Sequence, residues 1–113
     1  DVLKKVGAIL LAHSRPVDMV GRLGGDEFCI VFPRCDVTAA GTAVERMRKA
    51  VLESGLVEKY GVTVSLSAGL TSRQDQNEDL DATLARADHA LYAAKSAGRN
   101  RIEISLADRD APN

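Results

Sequence analysis

Cysteine is scarce in this sequence: Cys29 and Cys35 are the only two among 113 residues. That is too few for a disulfide scaffold, and Cys29 lies inside an apolar, strand-like run. Both read as reduced structural cysteines of a cytoplasmic domain. An excess of charge of one sign is also lacking. With a formal net charge of −1 there is no global basic field to attract nucleic acid or an acidic membrane, so any anion site must be local. No apolar run approaches the roughly 20 residues of a membrane span. There is no internal repeat, no low-complexity tract and no signal-peptide pattern; "DVLKKVGAILLAH" is already helix-like. What is present, 45% hydrophobic and 27% charged, suits one ordinary domain or part of one, with enough chain for a single core.

Periodicity places the elements. Val2, Leu3, Val6, Ile9 and Leu10 recur at helical spacing, and "HSRP" ends that helix because a residue before proline disfavours helical geometry. "MVGRL" and "EFCIVF" are β-rich and flank a glycine-led turn, which predicts an antiparallel hairpin. Asp36 or Thr38 caps a helix running to about Ser54, with Ala40, Ala43, Val44, Met47 and Val51 in one stripe. Residues 62–72 alternate as a half-buried strand. Leu80, Leu84, Ala87 and Leu91 mark a last helix that stops at Gly98, and "RIEIS" reads as a short final strand. The order predicts an α+β fold, with helices packed on a mainly antiparallel sheet. Residues 1–106 form the domain, and 107–113 a tail.

The chemistry concentrates at the hairpin turn. Gly24 and Gly25 allow positive φ and a close approach of ligand to backbone. Asp26 and Glu27 follow directly, and paired carboxylates suit Mg²⁺, which takes oxygen ligands from one or two acids and from substrate phosphates. A hairpin turn with solvated acids accounts for the same residues. Upstream, Arg15 and Asp18 form an Arg-x-x-Asp pair; alone, it reads equally as an ion pair that closes a turn. Lys95 and Arg99 are two cations one helical turn apart, and cations near a helix C-terminus also complement the helix dipole without any ligand. His13 reads as a helix-end residue.

Five stretches, in order, resemble the GGDEF family of diguanylate cyclases. They are "VLKKVG" (2–7), "RPVD" with "GGDEF" (15–28), "VERMR" (44–48), "VTVSLSAG" (62–69) and "ADHALYAAKSAGRNR" (87–101). The resemblance implies a nucleotidyl-cyclase or palm-like βαββαβ fold. It implies enzymes that condense two GTP into cyclic di-GMP across a homodimer, with Mg²⁺ or Mn²⁺. By family position, Asp26 would be a metal ligand that helps deprotonate the 3′-hydroxyl, and Glu27 would support the same site. Gly24 and Gly25 would admit the nucleotide, and Lys95 and Arg99 would hold the triphosphate. Arg15, Asp18 and Arg46 would form the inhibitory cyclic di-GMP site. Asp88 and Tyr92, four apart on the last helix, read as packing and hydrogen-bonding residues and not as catalysts. An upstream sensory domain in the parent protein is part of the same expectation, as is the absence of nucleic-acid or membrane contact by this segment. The alternative is a non-catalytic GGDEF domain that binds cyclic di-GMP or GTP as a regulatory module.

The sequence departs from the family pattern at its start. The family's first strand carries Asp-x-Asp-x-Phe-Lys, with a second metal carboxylate, and a following Asn and Asp read guanine; none of these occurs here. The chain therefore resembles the C-terminal two-thirds of the domain, truncated at the N-terminus. We expect it to make no cyclic di-GMP alone and to have a sheet edge that invites pairing.

Overall fold

Two apolar helical stripes meeting one sheet face account for the core. The computed structural model describes residues 2–24, 27–57, 61 and 63–107. Helix α1 (Val2–Ala12) buries Val6 and Leu10, and helix α2 (Val37–Glu53) buries Ala40, Val44, Met47 and Val51. Val6, Leu10, Met47 and Val51 form one cluster, against which Val20, Phe28, Ile30 and Leu66 pack. The capping choice falls on Asp36, whose carboxylate accepts the Ala39 N–H at 2.8 Å and satisfies one of the helix's unpaired first-turn donors.

Strands β1 (Met19–Gly24) and β2 (Glu27–Val31) form the expected antiparallel hairpin, with Val20 opposite Ile30 and Arg22 opposite Phe28. The register breaks between Arg22 and Gly24, and Gly24 pairs with Glu27 at φ +146°, a conformation that favours glycine. The long alternating segment behaves differently from its pattern. Only β3 (Ala68–Leu70) enters a ladder, a parallel one with β4 (Ile102–Ile104), while Thr63 makes an isolated bridge to Val57. Val62 lies outside the described residues. The described strands thus form two separate pairs, β1–β2 and β3–β4.

Helix α3 (Leu80–Ser96) lies on β3 at close range. A Cβ at Gly69 would fall 2.8 Å from Leu91 Cα and closer still to the Ala87 carbonyl oxygen and the Leu91 amide nitrogen, so only glycine fits beneath the helix. The loop entering α3 is held by Arg86, which donates to both Glu78 carboxylate oxygens, the Thr71 hydroxyl and the Ser72 carbonyl. This bonding by Arg86, together with the Gln74 amide and the Thr83 hydroxyl, holds the Glu78 carboxyl far below its usual range. The Gly98 stop holds: α3 caps at Ala97, and Gly98 follows at φ +117°. At the C-terminus, Ala107 is buried, and the rest of the expected tail, 108–113, lies outside the described residues.

Candidate functional site

The hairpin, the 63–73 segment and α3 enclose a cleft of about 1350 Å³. Strand β2 brings Glu27 to it, and the last turn of α3 brings Lys95, with Arg99 just beyond. The Lys95 ammonium lies 3.8 Å from the Glu27 carboxylate, both side chains being partly exposed. One acid and two cations from opposite ends of the sequence therefore face one space. Gly24 sits at the hairpin end of the same region. Gly25 and Asp26, the other two residues expected at this site, lie outside the described residues.

The cleft continues inward along the core faces of β2 and of residues 63–70, past Phe28, Ile30, Val64 and Leu66. Its volume exceeds the roughly 300–1,000 Å³ of an ordinary small-molecule pocket. Of the alternating apolar positions in 62–72, Val64 and Leu66 pack on the core and Leu70 is buried, but the in-and-out pattern is lost from Ser67 onward, where every residue to Ser72 is at least half-buried. Among the described residues, β2 pairs only with β1 and β3 only with β4.

As a metal site the described residues offer little. Glu27 is a hard oxygen donor of the type Mg²⁺ takes, but no group of three or more His, Cys, Asp or Glu that could hold a metal ion occurs among the described residues. One carboxylate is not a complete ligand set, and Mg²⁺ held there would need further oxygen donors from substrate phosphates, water or another acid.

A second, smaller cavity of about 230 Å³ lies between the turn after α1, the residues following β2, and α2, lined by His13, Arg15, Asp18, Cys35, Thr42 and Arg46, among others. The three residues of the expected inhibitory site thus share one cavity. Arg15 and Asp18 are locked together: Arg15 Nε and Nη2 donate to Asp18 Oδ1 at 3.0 and 2.7 Å, and the Arg15 amide donates to Oδ2 at 2.7 Å. Arg15 Nη2 also donates to the Pro33 carbonyl at 2.8 Å, tying the turn to the end of β2. These bonds hold the Asp18 carboxyl below its usual range and raise the Arg15 guanidinium. The Asp18 side chain is 1% exposed and that of Arg15 46%, so the carboxylate is the covered anchor and the arginine faces outward. Arg46, on α2, is exposed at the same cavity. His13, one residue past α1, is at the helix end as expected and also lines this cavity.

One expectation needs correction. Asp88 and Tyr92 are not packed: both are exposed, Tyr92 at 72%. They lie on the side of α3 away from buried Ala90 and Ala94. Sequence reading also missed the Arg86–Glu78 loop clamp and an Arg48–Asn100 bond, because each joins residues that no periodicity links.

Comparison with known proteins agrees with the geometry. The family described as diguanylate cyclase, GGDEF domain, matches residues 1–101. Diguanylate cyclase A of Treponema denticola is 34% identical over 105 residues, covering 92% of this chain and 28% of that protein. Diguanylate cyclase DgcP of Pseudomonas aeruginosa is 36% identical over 105 residues, covering 92% of this chain and 16% of that protein. Among solved structures, the coiled-coil and GGDEF domain of DgcB from Caulobacter crescentus, in complex with c-di-GMP, superposes with a TM-score of 0.82 at 29% identity, covering 92% of this chain and 56% of that one. The active GGEEF domain of a Vibrio cholerae diguanylate cyclase gives 0.82 at 31% identity, covering 92% and 66%. The chain thus spans less than a third of these curated relatives and under two-thirds of the solved domains.

Proposed function

Since this chain belongs to the GGDEF domain family of diguanylate cyclases, we propose that it is the signature-bearing part of a diguanylate cyclase, which condenses two GTP into cyclic di-GMP with release of pyrophosphate. The observation that carries this reading is the cleft where Glu27 stands 3.8 Å from Lys95 with Arg99 beside them. Lys95 and Arg99 neutralise and orient the triphosphate, Arg99 with a planar fork suited to phosphate oxygens. Gly24 and Gly25 let the nucleotide approach the hairpin backbone. Asp26 and Glu27 are the carboxylates that would hold Mg²⁺ or Mn²⁺, which when bound neutralises phosphate charge. Each subunit of a homodimer presents one nucleotide, and the 3′-hydroxyl of each attacks the α-phosphate of the other, so the protein's main contribution is positioning.

The cleft is larger than one nucleotide requires. Its inner part, lined by β2 and residues 63–70, is largely apolar, and among the described residues β2 pairs only with β1 and β3 only with β4, which leaves each an edge for one more strand. A strand there completes the sheet and supplies what the described residues lack, further carboxylates and a guanine-reading group. The second cavity is the product-inhibition site: Asp18 fixes Arg15, and Arg15 with Arg46 holds the phosphates or guanine edges of cyclic di-GMP. A sensory domain elsewhere in the parent protein would set its activity.

A product assay with GTP and Mg²⁺ tests the catalytic reading. The 113-residue chain alone should form no cyclic di-GMP, and the chain joined to whatever its gene encodes ahead of Asp1 should form it. Turnover by the chain alone, or none by the joined protein, contradicts the proposal. One observation favours a non-catalytic binding module instead: the second cavity brings its three residues together, while the cleft has one described carboxylate. That reading predicts cyclic di-GMP binding by the joined protein without turnover.

A further inference from the structure

Beyond α3 the chain adopts a conformation that L-residues avoid. Gly98, Arg99 and Asn100 have φ of +117°, +63° and +48°, two of them non-glycine residues in succession in the left-handed region. Such backbone persists only where its surroundings hold it. Hydrogen bonds do so here, and the three shortest to this turn among the described residues are these. The Arg99 N–H donates to the Ala94 carbonyl at 2.9 Å, and the Asn100 N–H to Ser67 Oγ at 3.0 Å. The third comes from 52 residues away: Arg48 Nη1, on α2, donates to Asn100 Oδ1 at 2.9 Å.

Arg48 is well placed to act as a fixed strut. Its Nε and Nη2 donate to the two Glu45 carboxylate oxygens at 2.8 and 2.6 Å, and its side chain is only 17% exposed. Those bonds consume two sides of the guanidinium and aim the third at Asn100. Arg48 itself does not line the cleft; Arg99, one residue before Asn100, does.

We propose that Arg48, acting through Asn100, is a positioning residue for Arg99, holding the left-handed turn so that the Arg99 side chain faces the nucleotide phosphates. This rests on the reading of the cleft as the triphosphate site. Arg48 belongs to α2 but not to its buried stripe of Ala40, Val44, Met47 and Val51, so its loss need not unfold the domain. Asn100→Gly separates the two possible roles of Asn100. Glycine keeps the left-handed backbone at no steric cost but removes the acceptor for Arg48.

The test is a chemical-shift titration of the ¹⁵N-labelled joined protein, the chain with whatever its gene encodes ahead of Asp1, with GTP and Mg²⁺, with amide hydrogen exchange followed in parallel. Arg48→Ala, Arg48→Lys and Asn100→Gly should each weaken GTP binding by roughly threefold to tenfold, part of what one charge-assisted phosphate contact is worth. Arg48→Ala combined with Asn100→Gly should be no worse than either alone, since both remove one bond. Exchange at the Asn100 amide should quicken in Arg48→Ala, while the thermal midpoint of Asn100→Gly stays near that of the parent. If the unsubstituted joined protein binds GTP and Asn100→Gly binds it equally well, or if the losses add, or if exchange at Asn100 is unchanged, the positioning role is overturned while the cleft reading stands. If the unsubstituted joined protein does not bind GTP at all, the cleft reading fails, and the positioning role falls with it.

Discussion

Gly69→Ala is the substitution whose cost the geometry fixes best. The new Cβ would stand 2.8 Å from Leu91 Cα and nearer still to Ala87 O and Leu91 N. Carbon atoms rest at about 3.5–4.0 Å, so α3 has to withdraw from β3 by about 1 Å. All three obstructing atoms are main chain, so no rotamer change relieves the overlap. Overpacking of this kind costs about 1–3 kcal/mol, and a backbone obstacle puts the expectation near 3. For a domain of this size that is about 10–20 °C in midpoint. Urea unfolding followed by circular dichroism should show a lower midpoint with an unchanged slope. Because α3 carries Lys95, the withdrawal should also open the 3.8 Å approach to Glu27. A loss below about 0.5 kcal/mol, with the amide shifts of Ala87–Leu91 unmoved, would show that the reasoning about this contact is wrong.

Gly41→Ala should have the opposite sign: its Cβ would meet Leu70 Cδ2 at 3.6 Å, an ordinary contact, and alanine in a helix interior is better than glycine by about 0.5–1 kcal/mol, so the urea midpoint should rise. Glu78 has its folded carboxyl depressed by Arg86, so the stabilisation is full above the unfolded value of about 4.3 and is lost as pH falls below it. Thermal unfolding between pH 6 and 3 should therefore show a fall that is shallower in Glu78→Gln; superimposable curves would contradict the clamp. Arg15→Ala should weaken cyclic di-GMP binding by roughly tenfold to a hundredfold in calorimetry, while Asp26→Ala leaves it nearly intact. Equal losses from both would mean that the two sites have been confused.

The sequence made some of this legible because short-range physics decides it. The hairpin follows from two β-rich runs around glycines, and α2 from a stripe whose Ala40, Val44, Met47 and Val51 are all buried. The Arg15–Asp18 pair is three residues apart, so a turn brings it together wherever the fold lies. The rest depends on contacts across the chain. Alternation in 62–72 points Val64 and Leu66 inward, but a ladder needs a neighbour, and among the described residues only Ala68–Leu70 has one, in β4, with an isolated bridge at Thr63. Gly69 carried a weak signal, since glycine inside a strand marks a place where another backbone comes close, but nothing local names α3 as that backbone. The Arg48–Asn100 bond spans 52 residues and leaves no trace in either segment. Tyr92 reads as packed from its place four residues after Asp88 on the helix, but spacing alone does not say which face is covered, and Tyr92 is exposed.

The central claim is that the chain has two separate ligand sites, a cleft for a nucleoside triphosphate and a second cavity for the dinucleotide product. Amide shift mapping of the labelled joined protein, first with cyclic di-GMP and then with GTP and Mg²⁺, addresses it directly. The account predicts that cyclic di-GMP moves Arg15, Asp18 and Arg46, and that GTP moves Glu27, Lys95 and Arg99. Shifts from both ligands at a single site, or from neither ligand at either site, would contradict it.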